Sequence, residues 1–375
     1  MSQPNEIRLF QGNPGETVSR NHRPPERVVV VLATYNGERF IEEQLASIQS
    51  QTHSDWRLIV RDDGSADRTR TLLERAARFD NRLQIIADDN IRLGPGGNFS
   101  RLLEIAQSQD ADYVLFADQD DVWFYDKIEK QMDVMRRMES EHLEGTPLLV
   151  HSDASITNGQ LKVTHDSLAN YAKLAHPEQC HLQTVLFQGR VLGCSVLMNR
   201  ALLGLMVPVP AGLLHDHWAA LCASAAGQVE YIAEPTLFYR RHGDNNSQAG
   251  APRVSSWRFV FKLVRNAPVE TQKSHYRTRV LWQRLSDSTH TPSCETENVL
   301  RSYCELFESP MSSLRRIWRL RRLGMPRLNP WRRALWYFRF LFAKHSDQHH
   351  QYSQSVLAQS ESSGSPHKSL LNKTA

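Results

Sequence analysis

The stretch "YVLFADQDDVW" at residues 113–123 joins an apolar run to a cluster of acidic residues. Residues 113–117 have the apolar and aromatic character of a buried strand, and three carboxylates follow, at Asp118, Asp120 and Asp121. Like charges at a buried strand end repel one another unless a cation or several donors compensate them. Carboxylate oxygens suit Mg2+ or Mn2+, ions that proteins often share with a diphosphate. The alternative is a solvated acidic turn that caps the next helix.

Outward from this stretch, predicted strands alternate with predicted helices. The strands are "RVVVVLATYNG" (27–37), "WRLIVRDDGS" (56–65) and "LQIIA" (83–87), and helices are predicted at 38–51, 66–79 and 99–108, with a Gly-rich turn "LGPGGN" at 93–98. This alternation predicts an α/β domain with a Rossmann-like, mostly parallel sheet and helices on both faces. The Gly-rich turn lacks both the lysine of a P-loop and the spacing of a dinucleotide fingerprint.

Polar residues follow three of these strands, at 34–36, 62–63 and 118–121. Each cluster alone is also an ordinary turn or helix-capping signal. Ligands of parallel sheets bind beyond the carboxyl ends of the strands, so the three clusters together predict one binding crevice.

Composition supports a globular protein of 375 residues with 40% hydrophobic content. Five cysteines at wide spacings, Cys180, Cys194, Cys222, Cys294 and Cys304, indicate reduced thiols rather than a disulfide framework or a zinc site. The polar N-terminus has no signal core, and a cytoplasmic location is expected.

The net charge of +4 divides unevenly along the chain. Residues 252–345 carry 19 Lys and Arg against 6 Asp and Glu, a balance of +13, while the chain before them carries −9. The predicted divisions are a disordered segment at 1–26, a catalytic domain at 27–248, a basic helical region at 249–345 and a disordered tail at 346–375.

The sequence resembles the inverting nucleotide-sugar glycosyltransferases of family 2, which have the GT-A fold. The resemblance covers residues 27 to about 248 and rests on "VVLATYNGERFIEEQLASIQSQ", "LIVRDDGSADRT", "LFADQDDVW", "GLLHDHWAALCASAAGQVEYI" and "PTLFYRRHGDNNS". The segments "DQDDVW", "HDHW" and "YRRHGDN" are most similar to bacterial rhamnosyltransferase-like members that build O-antigen and related polysaccharides.

The resemblance implies how a donor would be held. Ala33, Tyr35 and Asp63 would bind the nucleotide base, with Asp63 accepting from the N3–H of uracil or thymine. Asp118, Asp120 and Asp121 correspond to the family's metal motif, with Mg2+ or Mn2+ holding the donor phosphates, and three acids leave open which one ligates directly. Arg240, Arg241 and His242 would close over the donor and stabilise the departing diphosphate.

The resemblance also implies the acceptor side of the site. Asp216 would be the general base that takes the proton of the acceptor hydroxyl, and its capping of the helix "HWAALCASA" is the alternative. His215 and His217 would orient Asp216 rather than bind metal. Gly193 and Cys194 would lie near the sugar.

These roles predict transfer of a sugar, with L-rhamnose from dTDP-L-rhamnose favoured, to a lipid-linked saccharide. The alternatives are another nucleotide sugar, such as a UDP-hexose or UDP-N-acetylhexosamine, and a non-catalytic nucleotide-binding protein.

The basic helical region carries two stretches, 312–323 and 331–345, that place arginines beside tryptophan and phenylalanine at helical spacing. Such helices are typical of peripheral association with an anionic membrane surface, here the inner face of the cell membrane. A helical subdomain packed on the catalytic domain is the alternative. A nucleic-acid surface is disfavoured because the aromatic residues share an apolar stripe.

Overall fold

The computed structural model describes residues 26–87, 91–172, 174, 180–187, 189, 191–243, 257–288, 290, 292–309, 311–323, 334 and 336–337. The predicted disordered segment, except Glu26, and the predicted disordered tail lie outside the described residues. So does most of the predicted helix at 331–345.

The first half of the chain builds parallel strands and the helices that cover them. The elements, in order, are β1 Val28–Thr34, α1 Ile41–Gln49, β2 Trp56–Asp62, α2 Thr69–Phe79, β3 Leu83–Ile85, α3 Gly94–Ser108 and β4 Tyr113–Asp118. Strand β1 lies between β2 and β4 and is parallel to both, and β3 extends the sheet beyond β2.

The second half adds the elements β5 Val122–Trp123, α4 Lys127–Glu141, β6 Leu148–Thr157, β7 Val163–His165, α5 Leu168–Tyr171, α6 Leu182–Val185, a 3-10 turn Gly193–Ser195, β8 Val196–Asn199, α7 Arg200–Met206, α8 His215–Ala226 and β9 Gln228–Arg240. Together the strands form one sheet in the order β3-β2-β1-β4-β8-β6-β9-β5, with β7 beside β6.

The sheet is mixed rather than mostly parallel. Strand β8 is antiparallel to β4 and β6, β5 is antiparallel to β9, and β7 is antiparallel to β6. The predicted strand–helix alternation ends after β4, and the later strands enter by other connections. The predicted α/β class with a covered sheet is confirmed by this architecture.

Alternate residues of β1 explain why both faces are covered. Val29 and Val31 pack with α3, α7 and α8, whereas Val28, Val30 and Leu32 pack with α1, α2 and α4. Successive side chains of a strand point to opposite faces, so a continuous apolar run produces two cores.

The Gly-rich segment is part of a helix, contrary to the predicted turn. Helix α3 already begins at Gly94, which has a φ of +69° that favours glycine, and Pro95 lies in its first turn. Proline is well tolerated there because the first amides of a helix need no intrahelical acceptor.

Three further helices form the C-terminal region: α9 Trp257–Asp287, α10 Cys294–Glu308 and α11 Ser313–Arg322. They share a hydrophobic core with α7 and α8, to which they contribute Leu281, Leu285, Leu300, Tyr303, Leu306, Phe307 and Leu320. Burial of each such side chain stabilises the packing by about 1.5–3 kcal/mol. None of the helices in the described part of the chain combines the length and the apolar composition that a membrane span requires.

Candidate active site

The carboxyl ends of β1, β2 and β4 bring the predicted donor-side residues to one edge of the sheet. In register, Thr34 lies beside Asp62 and Ala33 lies beside Asp118. The Thr34 hydroxyl donates a 2.8 Å hydrogen bond to Asp62. The three polar clusters therefore meet, as parallel pairing requires.

Tyr35 is held by a residue that the sequence reading did not identify. The Gln119 side chain accepts from the Tyr35 amide at 2.9 Å and donates to its carbonyl oxygen at 3.0 Å. A Cβ on Gly37 would lie 2.4 Å from Gln119 Oε1, so glycine leaves room for this clamp. The Arg92 guanidinium stacks 4.0 Å from the centre of the Tyr35 ring. Gln119 thus joins the end of β1 to the segment 118–121, which we call the acidic loop.

Asp63 is buried and already has several donors. Its Oδ1 accepts from Arg61 at 2.8 Å and from the Leu93 amide at 2.7 Å, and its Oδ2 accepts from the Gly94 amide at 2.7 Å. A carboxylate oxygen has two lone pairs, so Oδ2 can accept one more hydrogen bond. These contacts fix the carboxylate against the start of α3.

The half-buried Asp118 lies beside the buried residues Asp121 and Cys194. One ligand atom from each of the three residues lies within 4.8 Å of the others. Burial, followed by the charges of Asp120 and Asp216, raises the pKa of Asp118 to about 7, and burial with neighbouring acids raises the pKa of Asp121 well above its usual value. Asp121 Oδ2 is buried without a hydrogen-bond partner in the described part of the chain.

Asp120 points to a different partner. Its Oδ2 lies 2.8 Å from His242 Nε2, and the His242 ring packs 4.7 Å from the Phe40 ring. This contact orients the Asp120 carboxylate.

Arg240 lies under the acidic loop and donates hydrogen bonds to it. Its amide donates to Asp121 at 3.1 Å, its Nε donates to the Asp120 carbonyl oxygen at 2.9 Å, and its terminal nitrogen pairs with Glu43. The side chain is 2% exposed, so the guanidinium faces protein rather than an open donor site. Arg241 is exposed and donates to the Tyr171 hydroxyl at 2.7 Å.

Lys127 is a buried cation beside this cluster. Its Nζ lies 3.4 Å from Thr236 Oγ1 and 4.9 Å from the centre of the Trp123 ring. Burial lowers its pKa to about 7, while Cys194 and Asp121 act to raise it. The Lys127 amine therefore lies on the interior side of the acids, and Asp121 favours its charged form.

Asp216 lies in the first turn of α8 and close to the same cluster. Its Oδ1 accepts from the His217 amide at 2.6 Å, and burial raises the pKa of the carboxyl. A Cβ on Gly193 would meet Asp216 Cβ at 3.4 Å and Oδ2 at 3.6 Å. Gly193 therefore keeps space beside the carboxylate.

The two flanking histidines do not orient Asp216 through their rings. His215 stacks on Phe99 with ring centres 3.8 Å apart and meets Phe116 edge-on at 4.7 Å. His217 contacts the Val185 carbonyl oxygen at 3.0 Å and Arg277 at 3.1 Å. Burial lowers the pKa of both imidazoles to about 3, so they are neutral, and only the His217 amide contacts Asp216.

The donor set fits a divalent cation. Mutually repelling buried carboxylates and the unpartnered Asp121 Oδ2 are the features that an ion would compensate. Oxygen ligands favour Mg2+ or Mn2+ here. Cys194 is buried, and burial raises the pKa of its thiol well above the usual value, so it is neutral and not an activated nucleophile.

The sequence reading missed the supporting residues Gln119, Lys127, Arg61, Glu43 and Phe40. Each belongs to a helix, strand or turn in which its residue type is ordinary. Their roles arise from contacts between distant segments, which no local motif records.

Comparisons with known proteins find similarity to glycosyltransferases. Residues 29–143 match glycosyl transferase family 2. The dTDP-rhamnosyl transferase RfbG of Shigella flexneri is 29% identical over 231 residues, covering 59% of this chain and 74% of that protein. The UDP-Glc:alpha-D-GlcNAc-diphosphoundecaprenol beta-1,3-glucosyltransferase WfgD of Escherichia coli is 26% identical over 144 residues, covering 38% of this chain and 54% of that protein.

Among solved structures, S. aureus TarS residues 1–349 in complex with UDP-GlcNAc aligns with a TM-score of 0.46 and 18% identity. The alignment covers 88% of this chain and 92% of that one. The chain is a glycosyltransferase, and its residues 29–143 match glycosyl transferase family 2.

Proposed function

We propose that the chain transfers L-rhamnose from dTDP-L-rhamnose, with inversion, to a lipid-linked saccharide in the synthesis of a bacterial surface polysaccharide. The observation that carries the proposal is the meeting of Asp118, Asp120 and Asp121 with Asp216 at the carboxyl edge of the sheet, where Asp216 helps to raise the pKa of Asp118. Similarity to RfbG favours the rhamnosyl donor, and the name of WfgD favours a diphosphoundecaprenol-linked acceptor.

On the donor side, the base would lie against Ala33 and Tyr35 and reach the remaining lone pair of Asp63 Oδ2. The fixed position of that carboxylate supports this role, because the donor would meet an acceptor that is already oriented. Arg92, stacked on Tyr35, adds a cation at the same edge.

The diphosphate would lie over Asp118 and Asp120, which are more exposed than Asp121. Asp118 and Asp120 would hold the divalent ion, with Asp121 beneath them and His242 orienting Asp120. When bound, the ion supplies positive charge that neutralises the leaving diphosphate. In this role Arg240 shapes the acidic loop from below, the exposed Arg241 would face the donor, and the half-buried His242 would act through Asp120.

On the acceptor side, Asp216 would take the hydroxyl proton during attack on the anomeric carbon. Burial raises the pKa of this carboxyl, which makes its ionised form a stronger base than an exposed aspartate. The space kept by Gly193 beside Oδ2 would admit the acceptor hydroxyl, with Cys194 behind it. The acceptor oxygen would displace the nucleoside diphosphate from the anomeric carbon in a single step while Asp216 takes the proton, which predicts inversion.

The test is a donor panel with full-length protein and Mn2+ or Mg2+. dTDP-L-rhamnose should stabilise the protein by about 2.7 kcal/mol at a hundredfold excess over Kd. It should also be consumed when a diphosphoundecaprenol-linked saccharide is added. A larger shift and faster turnover with UDP-glucose, UDP-galactose or UDP-N-acetylglucosamine would replace the rhamnosyl assignment with that donor.

We also propose that α11 brings the enzyme to the inner face of the cell membrane. Arg316 and Leu320 face the protein, while Leu314 and Trp318 are 78% and 51% exposed. Arg315, Arg321 and Arg322 are exposed as well, and the Arg322 guanidinium stacks 3.9 Å from the centre of the Trp318 ring. This exposed face combines cations with apolar groups, which favours an anionic interface.

Trp336 has a different environment from the interfacial one expected from the sequence. It is 6% exposed, its Nε1 donates to the Phe187 carbonyl oxygen at 2.9 Å, and its ring packs on Phe187. The membrane proposal therefore rests on α11, and the C-terminal region packs on the catalytic body through its other side.

Liposome sedimentation tests this part. Replacing Arg315 and Arg322 with glutamine should weaken binding to anionic vesicles about 30-fold at low salt, since each basic residue contributes about 1 kcal/mol. Replacing Arg70 and Arg101, which are exposed on α2 and α3, is the charge-matched control and should have little effect. Equal binding of wild type to neutral and anionic vesicles would exclude the proposal.

A further inference from the structure

A second cluster of possible metal ligands lies between α9 and α10, in the C-terminal region. His275 comes from α9, and Cys304 and Glu308 come from α10. One ligand atom from each residue lies within 4.8 Å of the others. Cys304 and Glu308 are four residues apart, so they lie one turn apart on the same helix face. The facing helix supplies the third group.

The cluster is built from packed side chains. His275 is 3% exposed and Cys304 is 4% exposed. The His275 ring lies 4.9 Å from the Phe307 ring, and Ser274 and Tyr303 share a 2.8 Å hydrogen bond next to it. These contacts fix the two helices at the point where the ligand atoms meet.

Glu308 opens the cluster to solvent. Its Oε1 lies 2.9 Å from His275 Nε2, and its side chain is 47% exposed. An ion could therefore enter from this side and keep a water ligand. Arg279 lies 3.8 Å from the same carboxylate oxygen and would have to release it.

We propose that His275, Cys304 and Glu308 form a binding site for Zn2+, distinct from the cation site at the acidic loop. Imidazole, thiolate and carboxylate are the common zinc ligands, and three protein ligands plus water complete a tetrahedral site. Zinc ligands at about 2.0–2.3 Å from the ion lie about 3.3–3.8 Å from one another, so small side-chain shifts close the cluster. A thiolate disfavours Mg2+ and Mn2+.

The site would clamp α9 to α10 near the catalytic centre. Arg277, two residues after His275, contacts His217 at 3.1 Å, and His217 follows Asp216 directly. Zinc binding would thus fix the helix that supports the turn of Asp216. The inference does not depend on which sugar the enzyme transfers.

Cobalt absorption spectroscopy on metal-free full-length protein tests the site, with Co2+ as the probe. Wild type should bind Co2+ with a thiolate-to-cobalt absorption band, which Zn2+ bleaches and excess Mg2+ does not. Cys304→Ser should lose the band, and Cys294→Ser, which removes an exposed cysteine of the same helix, should keep it.

Cys194 needs its own variant because it lies beside the acidic loop. Under the proposal Cys194→Ser keeps the band. If Cys194→Ser loses the band and Cys304→Ser keeps it, Co2+ binds at the catalytic centre and the proposal is wrong. Absence of the band in wild type would also overturn the proposal.

A milder variant serves if Cys304→Ser does not fold. Glu308→Gln changes an exposed side chain and should weaken Co2+ binding at least about 10-fold. Loss of a residue that only supports a metal ligand already weakens metal binding by about that factor. Unchanged affinity in this variant would also overturn the proposal.

Discussion

Replacement of Asp216 by asparagine separates its catalytic role from its structural one. The carboxylate lies in the first turn of α8 and accepts from the His217 amide at 2.6 Å. Asparagine keeps an oxygen in the same place, so this hydrogen bond survives, but its amide cannot accept the acceptor's proton. Asp216→Asn should therefore fold like the wild type, bind donor with similar affinity and lose turnover.

The expected loss is two to four orders of magnitude in kcat, about 2.7–5.4 kcal/mol in the barrier. Asp216→Ala should lose the same turnover and, in addition, about 1 kcal/mol of stability from the missing hydrogen bond to the His217 amide. The pH profile adds a third readout. A general base works only when ionised, and burial raises the pKa of Asp216, so wild-type kcat should rise with pH through that pKa.

The assay follows transfer and donor binding separately, with urea unfolding as the control for stability. Both variants should have flat, low kcat profiles over the range where wild-type activity rises. Wild-type turnover in Asp216→Asn, with lower stability only in Asp216→Ala, would show that Asp216 only stabilises the first turn of α8 and would refute its role as the base.

Three more predictions concern the rest of the chain. Burial and neighbouring charges raise the pKa of Asp118 to about 7 without metal, so below that pH a bound cation must displace its proton. The Mn2+ affinity measured by calorimetry should therefore rise about tenfold per pH unit up to about pH 7. An affinity that does not change with pH would contradict this prediction. Gln119→Ala should raise KM for the donor more than it lowers kcat, because it frees the Tyr35 peptide; in steady-state kinetics, an unchanged KM would count against the clamp. Trp336→Ala should reduce the free energy of unfolding by about 3–5 kcal/mol, since it empties a packed site against Phe187; an effect below about 1 kcal/mol in urea unfolding would place Trp336 outside the core.

Much of the first half of the fold could be predicted from the sequence because its signals are local. The run Val28–Leu32 is apolar at every position, which requires burial on both faces, and the helices beside it have apolar residues at helical spacing. The positions of Asp63 and Asp118 followed from one rule, that parallel strands end at the same edge. The mixed pairing of β6, β8 and β9 did not follow, because strand direction depends on connections that periodicity does not record.

The sequence alone determined the class of the fold, which residues form the acidic cluster and how unevenly charge is distributed along the chain. Only the tertiary structure decided how those groups are partnered: Arg240 lies under the acidic loop and does not face a ligand, and His215 stacks on Phe99. It also packed Trp336 inside while leaving Trp318 exposed, although both occur in similar basic, aromatic stretches. The physical reason is that a side chain's partner is set by contacts between distant segments, whereas a sequence pattern records only neighbours along the chain.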